Sequence, residues 1–164
     1  MDNNTKETIK MRPASGQYVI DNLPMMTMAV CGLAVCGIEN YWIDSLKPVT
    51  ACVTVLCLLC LAYRLVYLLG TRYEITQEQL IHRHGVFTRK SDYVELYRIV
   101  DYAEQKSILQ QLARLKTITV YSGDRTNPEI RLIGIRAGCR VTEIIRNRVE
   151  QNKKRRGIYE ITNR

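Results

Sequence analysis

Signatures of catalysis are missing from this 164-residue chain. It holds only two histidines. No grouping of Ser, His and carboxylate, no phosphate-gripping glycine loop and no motif-spaced pair of carboxylates can be read along it. These absences argue against an enzyme, and nothing calls for a cofactor. Recognition-helix, zinc-finger and aromatic nucleic-acid motifs are lacking too, which makes nucleic acid a poor partner despite a formal net charge of +8. There is no internal repeat, and no low-complexity stretch before the C-terminal tail. Charge itself is scarce in one place: from residue 49 to residue 70 the only charged side chain is Arg64.

That uncharged run is the most informative feature present. At about 1.5 Å per residue it reaches across a bilayer core of roughly 30 Å. Arg64 lies close enough to the end at Gly70 for its stem to snorkel to the interface, a functional intramembrane arginine being the sharper alternative. Tyr63 and Tyr67 flank it at the depth of an aromatic belt. A first apolar run covers residues 23–38. Pro24 suits a first helical turn with Asp21 or Asn22 as cap, and continuation towards Ile43 would bring the helix to spanning length, with Tyr41 and Trp42 at the far interface. Ala29, Gly32 and Cys36 form a small-residue stripe at which a second helix can approach closely. The expected organisation is an N-terminal arm (1–22), a two-helix membrane anchor (23–70, with helices over about 23–43 and 49–70), a sheet-rich domain (71–150) and a basic tail (151–164). The interhelical loop carries one Lys, whereas the arm carries three basic residues and the segment after Gly70 is basic, so both termini are expected on the cytoplasmic side. The late, mixed-charge start of the first run argues against a cleaved signal peptide, and Val35 fits a lipoprotein box at Cys36 poorly.

Residues 1–70 balance five basic against five acidic groups, so the whole excess of positive charge falls in residues 71–164. Such a surface suits anionic partners, and the nearest anion to a tethered domain is a lipid headgroup. Five of the six cysteines (31, 36, 52, 57 and 60) lie in the apolar runs, where a thiol behaves as a small apolar group. Cys57 and Cys60 have redox-pair spacing, but leucines surround them and no His is near. Cys139 is alone in the remainder.

From Thr71 the period changes to that of strands. Tyr73 to Ile75 and Leu80-Ile81 are split by a turn at Thr76-Gln77-Glu78, and Gly85 ends the second strand. Val86-Phe87 opens a third segment that continues from Tyr93 to Leu96, and another strand follows at Ile99. Ser107 can cap a short helix with Ile108, Leu109, Leu112 and Leu115 on one side. Strands are expected over residues 117–121 and 130–135, and Val141, Ile144, Ile145 and Val149 mark one face of a terminal helix.

Four polar groups stand out. Arg72 adjoins the anchor, and Lys153, Lys154, Arg155 and Arg156 end the terminal helix; these five are candidate contacts to anionic lipid. The helix-end run equally suits a solvated C-terminus that complements the helix dipole. Arg83, Arg89 and Lys90 form a candidate basic patch. His82 and His84 share one face of a strand, but with no Cys, Asp or Glu placed beside them in sequence they read as solvated strand residues and no metal site is expected.

The stretches Thr71-Arg72-Tyr73-Glu74-Ile75-Thr76, Leu80…Gly85-Val86, Val94-Glu95-Leu96-Tyr97-Arg98-Ile99, Gln105-Lys106-Ser107-Ile108-Leu109-Gln110 and Thr117-Ile118-Thr119-Val120 together resemble the bacterial pleckstrin-homology-like (PH-like) domain of YdbS-type membrane proteins. That resemblance covers roughly residues 25–150. It implies an α+β chain in which a two-helix transmembrane hairpin precedes a PH-like split β-barrel closed by a C-terminal helix, without catalytic activity, in the bacterial inner membrane. The family often has small Gly residues after the short helix, where this chain has Arg114 and Lys116. The function expected is that of a non-enzymatic module that binds a protein partner or scaffolds a membrane complex, because a free sheet edge and an amphipathic helix offer docking grooves. The alternative is a module that reads anionic lipid at the cytoplasmic face. Homo-oligomerisation stays open.

Overall fold

The computed structural model describes residues 8–38 and 45–158. The expectation for Tyr41 and Trp42 lies outside the described residues. The chain is α+β. A short strand β1 (Ile9–Met11) leads into two long helices, α1 (Ser15–Cys36) and α2 (Lys47–Gly70). Strands β2 (Arg72–Ile75), β3 (Gln79–His84) and β4 (Lys90–Glu95) follow, then a 3-10 turn (Leu96–Arg98) and β5 (Ile99–Gln105). A short helix α3 (Ile108–Leu112), strands β6 (Leu115–Ser122) and β7 (Glu129–Arg136), and helix α4 (Val141–Arg155) complete it.

Both long helices are long and apolar enough to cross a membrane, and little of either is buried. They pack on each other through Ala29, Cys57 and Leu61, with Tyr18, Met25 and Met26 beside them. The small-residue stripe lies at this contact. Ala29 is buried, a Cβ on Gly32 would run into the Thr54 hydroxyl, and Cys36 Sγ lies 3.7 Å from Thr50 Oγ1. Gly32→Leu therefore pushes the helices apart. Overpacking of this kind costs about 1–3 kcal/mol. The melting temperature of the full chain in detergent should fall, while Val30→Ala, at a 65% exposed position on the same helix, should leave it unchanged.

Helix α1 begins at Ser15, well before the expected position 23, with Asp21, Asn22 and Pro24 inside it, and it ends at Cys36 with Gly37 as its C-cap rather than continuing towards Ile43. The apolar pattern conceals this start because the first turns face protein. Gln17 and Asn22 are buried; Gln17 Nε2 donates to Asp21 Oδ1 (2.7 Å), and Gln17 Oε1 accepts from Gln110 Nε2 (2.9 Å). Strand β1 was not anticipated either. It is only three residues long, with Ile9 and Met11 packed against the core and Lys10 outward. It pairs antiparallel with β2, Met11 opposite Tyr73, so the helical hairpin is inserted between two adjacent strands of one sheet.

Two antiparallel sheets result, β1-β2-β3-β4 and β5-β6-β7. Ile75, Leu80, Val94 and Leu96 from the first side meet Ile118, Val120 and Leu132 from the second, and Val141, Ile145 and Val149 of α4 pack against the same cluster. Full burial of each aliphatic side chain is worth about 1.5–3 kcal/mol, which makes this cluster the main source of the fold's stability. Residues 86–89 are a loop, not the beginning of a third strand, because Gly85 adopts φ +109° and turns the chain. Ser107 caps α3 in a reciprocal capping box with Gln110. The side of α3 that faces inward is nevertheless polar: Gln110 is buried against Gln17 and Thr117, whereas Ile108 and Leu112 are each 85% exposed and Leu115 belongs to β6.

The bulky corner after α3 also has a structural consequence. Arg114 holds φ +54°, a left-handed conformation that favours glycine. Arg114→Gly should therefore raise the melting temperature, with a gain of about 1 kcal/mol. An unchanged or lower value would show that the arginine side chain compensates for its backbone. Lys116 is buried, and its Nζ donates to Glu104 Oε1 at 2.8 Å. That ion pair and a hydrogen bond from the Thr142 hydroxyl hold the Glu104 carboxyl below its ordinary pKa.

Candidate functional site

The end of α2 and the first strands of the domain enclose a cavity of about 400 Å³. Val66 and Gly70 form its helical wall, and Arg72, Arg83, Arg89 and Lys90 line the remainder together with His84, Gly85, Val86 and Ser91. The strand register produces this convergence. Arg72 stands opposite Arg83 across β2 and β3, and His84 stands opposite Lys90 across β3 and β4. Like charges directly opposite each other disfavour a sheet. Among the described residues, only one of the four has an ion pair within the sheet, Arg83 with Glu74 at 3.4 Å, and no carboxylate lines the cavity. An arrangement that costs stability and concentrates uncompensated positive charge in a concave site suits an anionic ligand.

Gly85 sets the geometry of the cavity floor. At φ +109° it reverses the chain, and a Cβ there would run into the Thr88 carbonyl oxygen. The loop consequently lies along α2, where Phe87 stacks on Tyr63 with ring centroids 6.2 Å apart. Tyr63 is about 10 Å of helix from Gly70. Phe87 is 89% exposed.

Beside this cavity, His82 and His84 point to one face of β3, and the register places Asp92 of β4 opposite His82. Asp92 Oδ2 is 3.8 Å from His82 Nδ1 and 3.6 Å from His84 Nδ1. The two imidazoles lie 4.5 Å apart centroid to centroid, and the Tyr73 ring covers His82 at 5.0 Å. The expectation of solvated histidines with no carboxylate at hand is thus corrected: both are half-buried and Asp92 adjoins them. Burial and the neighbouring His84 lower the His82 pKa against the opposing pull of Asp92. Burial pushes Tyr73 up to about 12, and its hydroxyl accepts a hydrogen bond from the Ile133 amide at 3.1 Å.

A second cavity, of about 450 Å³, separates the helical hairpin from the sheets. Tyr18, Asn22, Arg64, Tyr67, Tyr73 and His82 lie along it. Arg64 crosses to the other helix, its Nη1 donating to Asn22 Oδ1 at 3.0 Å, while the Tyr18 hydroxyl donates to the Leu61 carbonyl at 2.8 Å.

The sequence-derived basic groups do not form one patch. Arg72 joins Arg83, Arg89 and Lys90 around the first cavity. Lys153, Lys154, Arg155 and Arg156 lie at the other end of the first sheet. There Asn152 Nδ2 donates to the Gln77 carbonyl at 2.6 Å, in the β2–β3 turn, about 13 Å of strand from Gly70. The Arg156 guanidinium sits 3.9 Å above the Tyr97 ring. Lys153 and Lys154 border a groove of about 360 Å³ between α4 and the edge strand β5. Two participants were missed in the sequence, Asp92 and Phe87. Asp92 is found only by knowing the length of the β3–β4 loop, and Phe87 only by knowing that this loop runs beside the helix.

No curated protein and no solved structure matches the chain. The model of the bacterial PH domain family matches residues 28–149, which take in the last nine residues of α1, all of α2 and the domain through Val149. With that match over most of its length, the chain belongs to the bacterial PH domain family.

Proposed function

We propose that this chain is a non-enzymatic binding module held in the bacterial inner membrane by its helical hairpin, both termini cytoplasmic, and that its PH-like split barrel reads anionic lipid headgroups. The observation that carries the reading is the cavity at the end of α2, with Arg72, Arg83, Arg89 and Lys90 around it and no carboxylate in its lining. Its place matters as much as its charge. The cavity opens where an apolar helix leaves the hydrocarbon, the depth at which phosphate groups lie. Phe87 beside α2, and Ile108 and Leu112 on the helix that meets α1 through Gln110, give this end of the domain exposed apolar side chains suited to the interface.

The test is a titration of the detergent-solubilised full chain with short-chain phosphatidylglycerol. The full chain is required because residues 71–164 alone would lack β1. Each cation near a headgroup is worth about 1 kcal/mol, so replacing Arg72, Arg89 and Lys90 together by glutamine should weaken binding roughly 100-fold. An unchanged affinity would remove the cavity as the site.

A protein partner is the second reading, and a separate surface supports it. The groove between α4 and the β5 edge combines an open strand edge with Ile99, Val100 and Val149 and the charges of Lys153 and Lys154. Such a groove suits an extended acidic peptide added to the sheet. A partner recovered with the full chain from native membranes and lost on Lys154→Glu would support this reading.

A further inference from the structure

The His82, His84 and Asp92 constellation has a geometry that ordinary hydrogen bonding does not explain. Both Nδ1 atoms converge on the same carboxylate oxygen, at 3.8 Å and 3.6 Å. Those separations are too long for hydrogen bonds, and His84 Nδ1 is buried with no hydrogen-bond partner among the described residues. An unpaired buried nitrogen costs free energy. It is left in place here although Asp92 needs to move less than an ångström to satisfy it. Each of the three residues offers a ligand atom, all within 4.8 Å of one another. Donors bound at about 2.0–2.1 Å around a tetrahedral ion lie roughly 3.3 Å apart. Small side-chain rotations would therefore bring these three donors onto one ion.

We propose that His82, His84 and Asp92 form a mononuclear site for a divalent transition-metal ion of the zinc class. Two imidazoles and a carboxylate favour such an ion over calcium or magnesium, which take oxygen ligands. The two histidines belong to β3 and Asp92 to β4, so the ion would pin this hairpin just before the Gly85 turn. Three protein donors leave a coordination position for water or a ligand atom. The side chains are partly accessible, at 19%, 20% and 33% exposure, and adjoin both cavities at the helix–sheet junction. The inference does not rest on lipid binding.

The experiment loads the chelator-stripped full chain with zinc chloride in detergent, and reads stoichiometry by equilibrium dialysis and coordination by X-ray absorption. One zinc per chain is expected, with nitrogen and oxygen donors at about 2.0–2.1 Å and no sulfur at about 2.3 Å. Loss of an outer-shell partner already weakens a metal site about 10–100-fold, so His84→Gln and Asp92→Asn should each weaken binding by about 100-fold or more. Cooperative thermal unfolding of each variant shows that it is folded. If His84→Gln does not fold, Asp92→Asn and His82→Gln carry the comparison. Absent zinc binding, sulfur donors from the cysteines, or undiminished binding by the folded variants would overturn the proposal. Because the readout is zinc, its failure is distinct from a failure of the phosphatidylglycerol titration.

Discussion

Gly85→Val abolishes the basic cavity and destabilises the domain together. Gly85 holds φ +109°, and any Cβ there meets the Thr88 carbonyl oxygen across the turn. Backbone strain of this sort costs about 1–3 kcal/mol, with steric overlap added, and a β-branched residue suffers most. Relief of the overlap shifts the turn between Gly85 and Arg89, which disturbs the stacking of Phe87 on Tyr63 and moves Arg89 in the cavity wall. We expect a loss of about 3 kcal/mol in denaturant unfolding of the full chain, accompanied by loss of phosphatidylglycerol binding. A variant with wild-type stability and affinity would show that the turn does not shape the site.

Arg148→Met has an equally large effect on stability and a different effect on binding. Arg148 lies on the inner face of α4 and is 3% exposed. Its Nη1 donates to the Ile75 carbonyl at 2.7 Å and the Thr76 carbonyl at 2.9 Å, and Asn152, one turn on, donates to Gln77. The helix thereby clamps the β2–β3 turn, satisfying backbone acceptors that burial removes from water. Burial lowers the Arg148 pKa, which records the cost of placing a cation there. Methionine keeps volume and relieves that cost, but strands two carbonyls at about 1–3 kcal/mol each. A net loss of about 2–4 kcal/mol follows, visible as a lower unfolding midpoint. Phosphatidylglycerol affinity of the folded fraction should stay unchanged, since the clamp sits at the end of the sheet opposite the cavity. Equal stability would mean that water replaces the guanidinium.

Much of this arrangement was legible in the sequence, for identifiable reasons. The two long helices, the cap at Ser107, strands β6 and β7 and the apolar face of α4 all rest on local signals of composition, period or cap chemistry. The close approach at Ala29 and Gly32 was visible because small residues recurred at helical spacing. What was hidden depended on contacts distant in the chain. Strand β1 is too short to show a period and exists only because β2 returns to it after the hairpin. The early start of α1 was masked because Gln17 and Asn22 are polar yet buried, with partners at Gln110 and Arg64. The cavity required the register that sets Arg72 against Arg83, and the histidine cluster required the one that sets His82 against Asp92. Helix α3 misled for the opposite reason: Ile108 and Leu112 look like core residues but are exposed, and the inward side of the helix is taken by Gln110.

The central claim is that the cavity at the end of α2 holds an anionic headgroup, and one titration tests it most directly. The detergent-solubilised wild-type chain is titrated with short-chain phosphatidylglycerol and, separately, phosphatidylcholine, at low and high salt. Beside it runs a variant with Lys153, Lys154, Arg155 and Arg156 replaced by glutamine. The account predicts saturable, salt-sensitive binding of phosphatidylglycerol alone, retained when the distant tail is neutralised. Equal affinity for both lipids, or binding that vanishes with the tail charges, would contradict it.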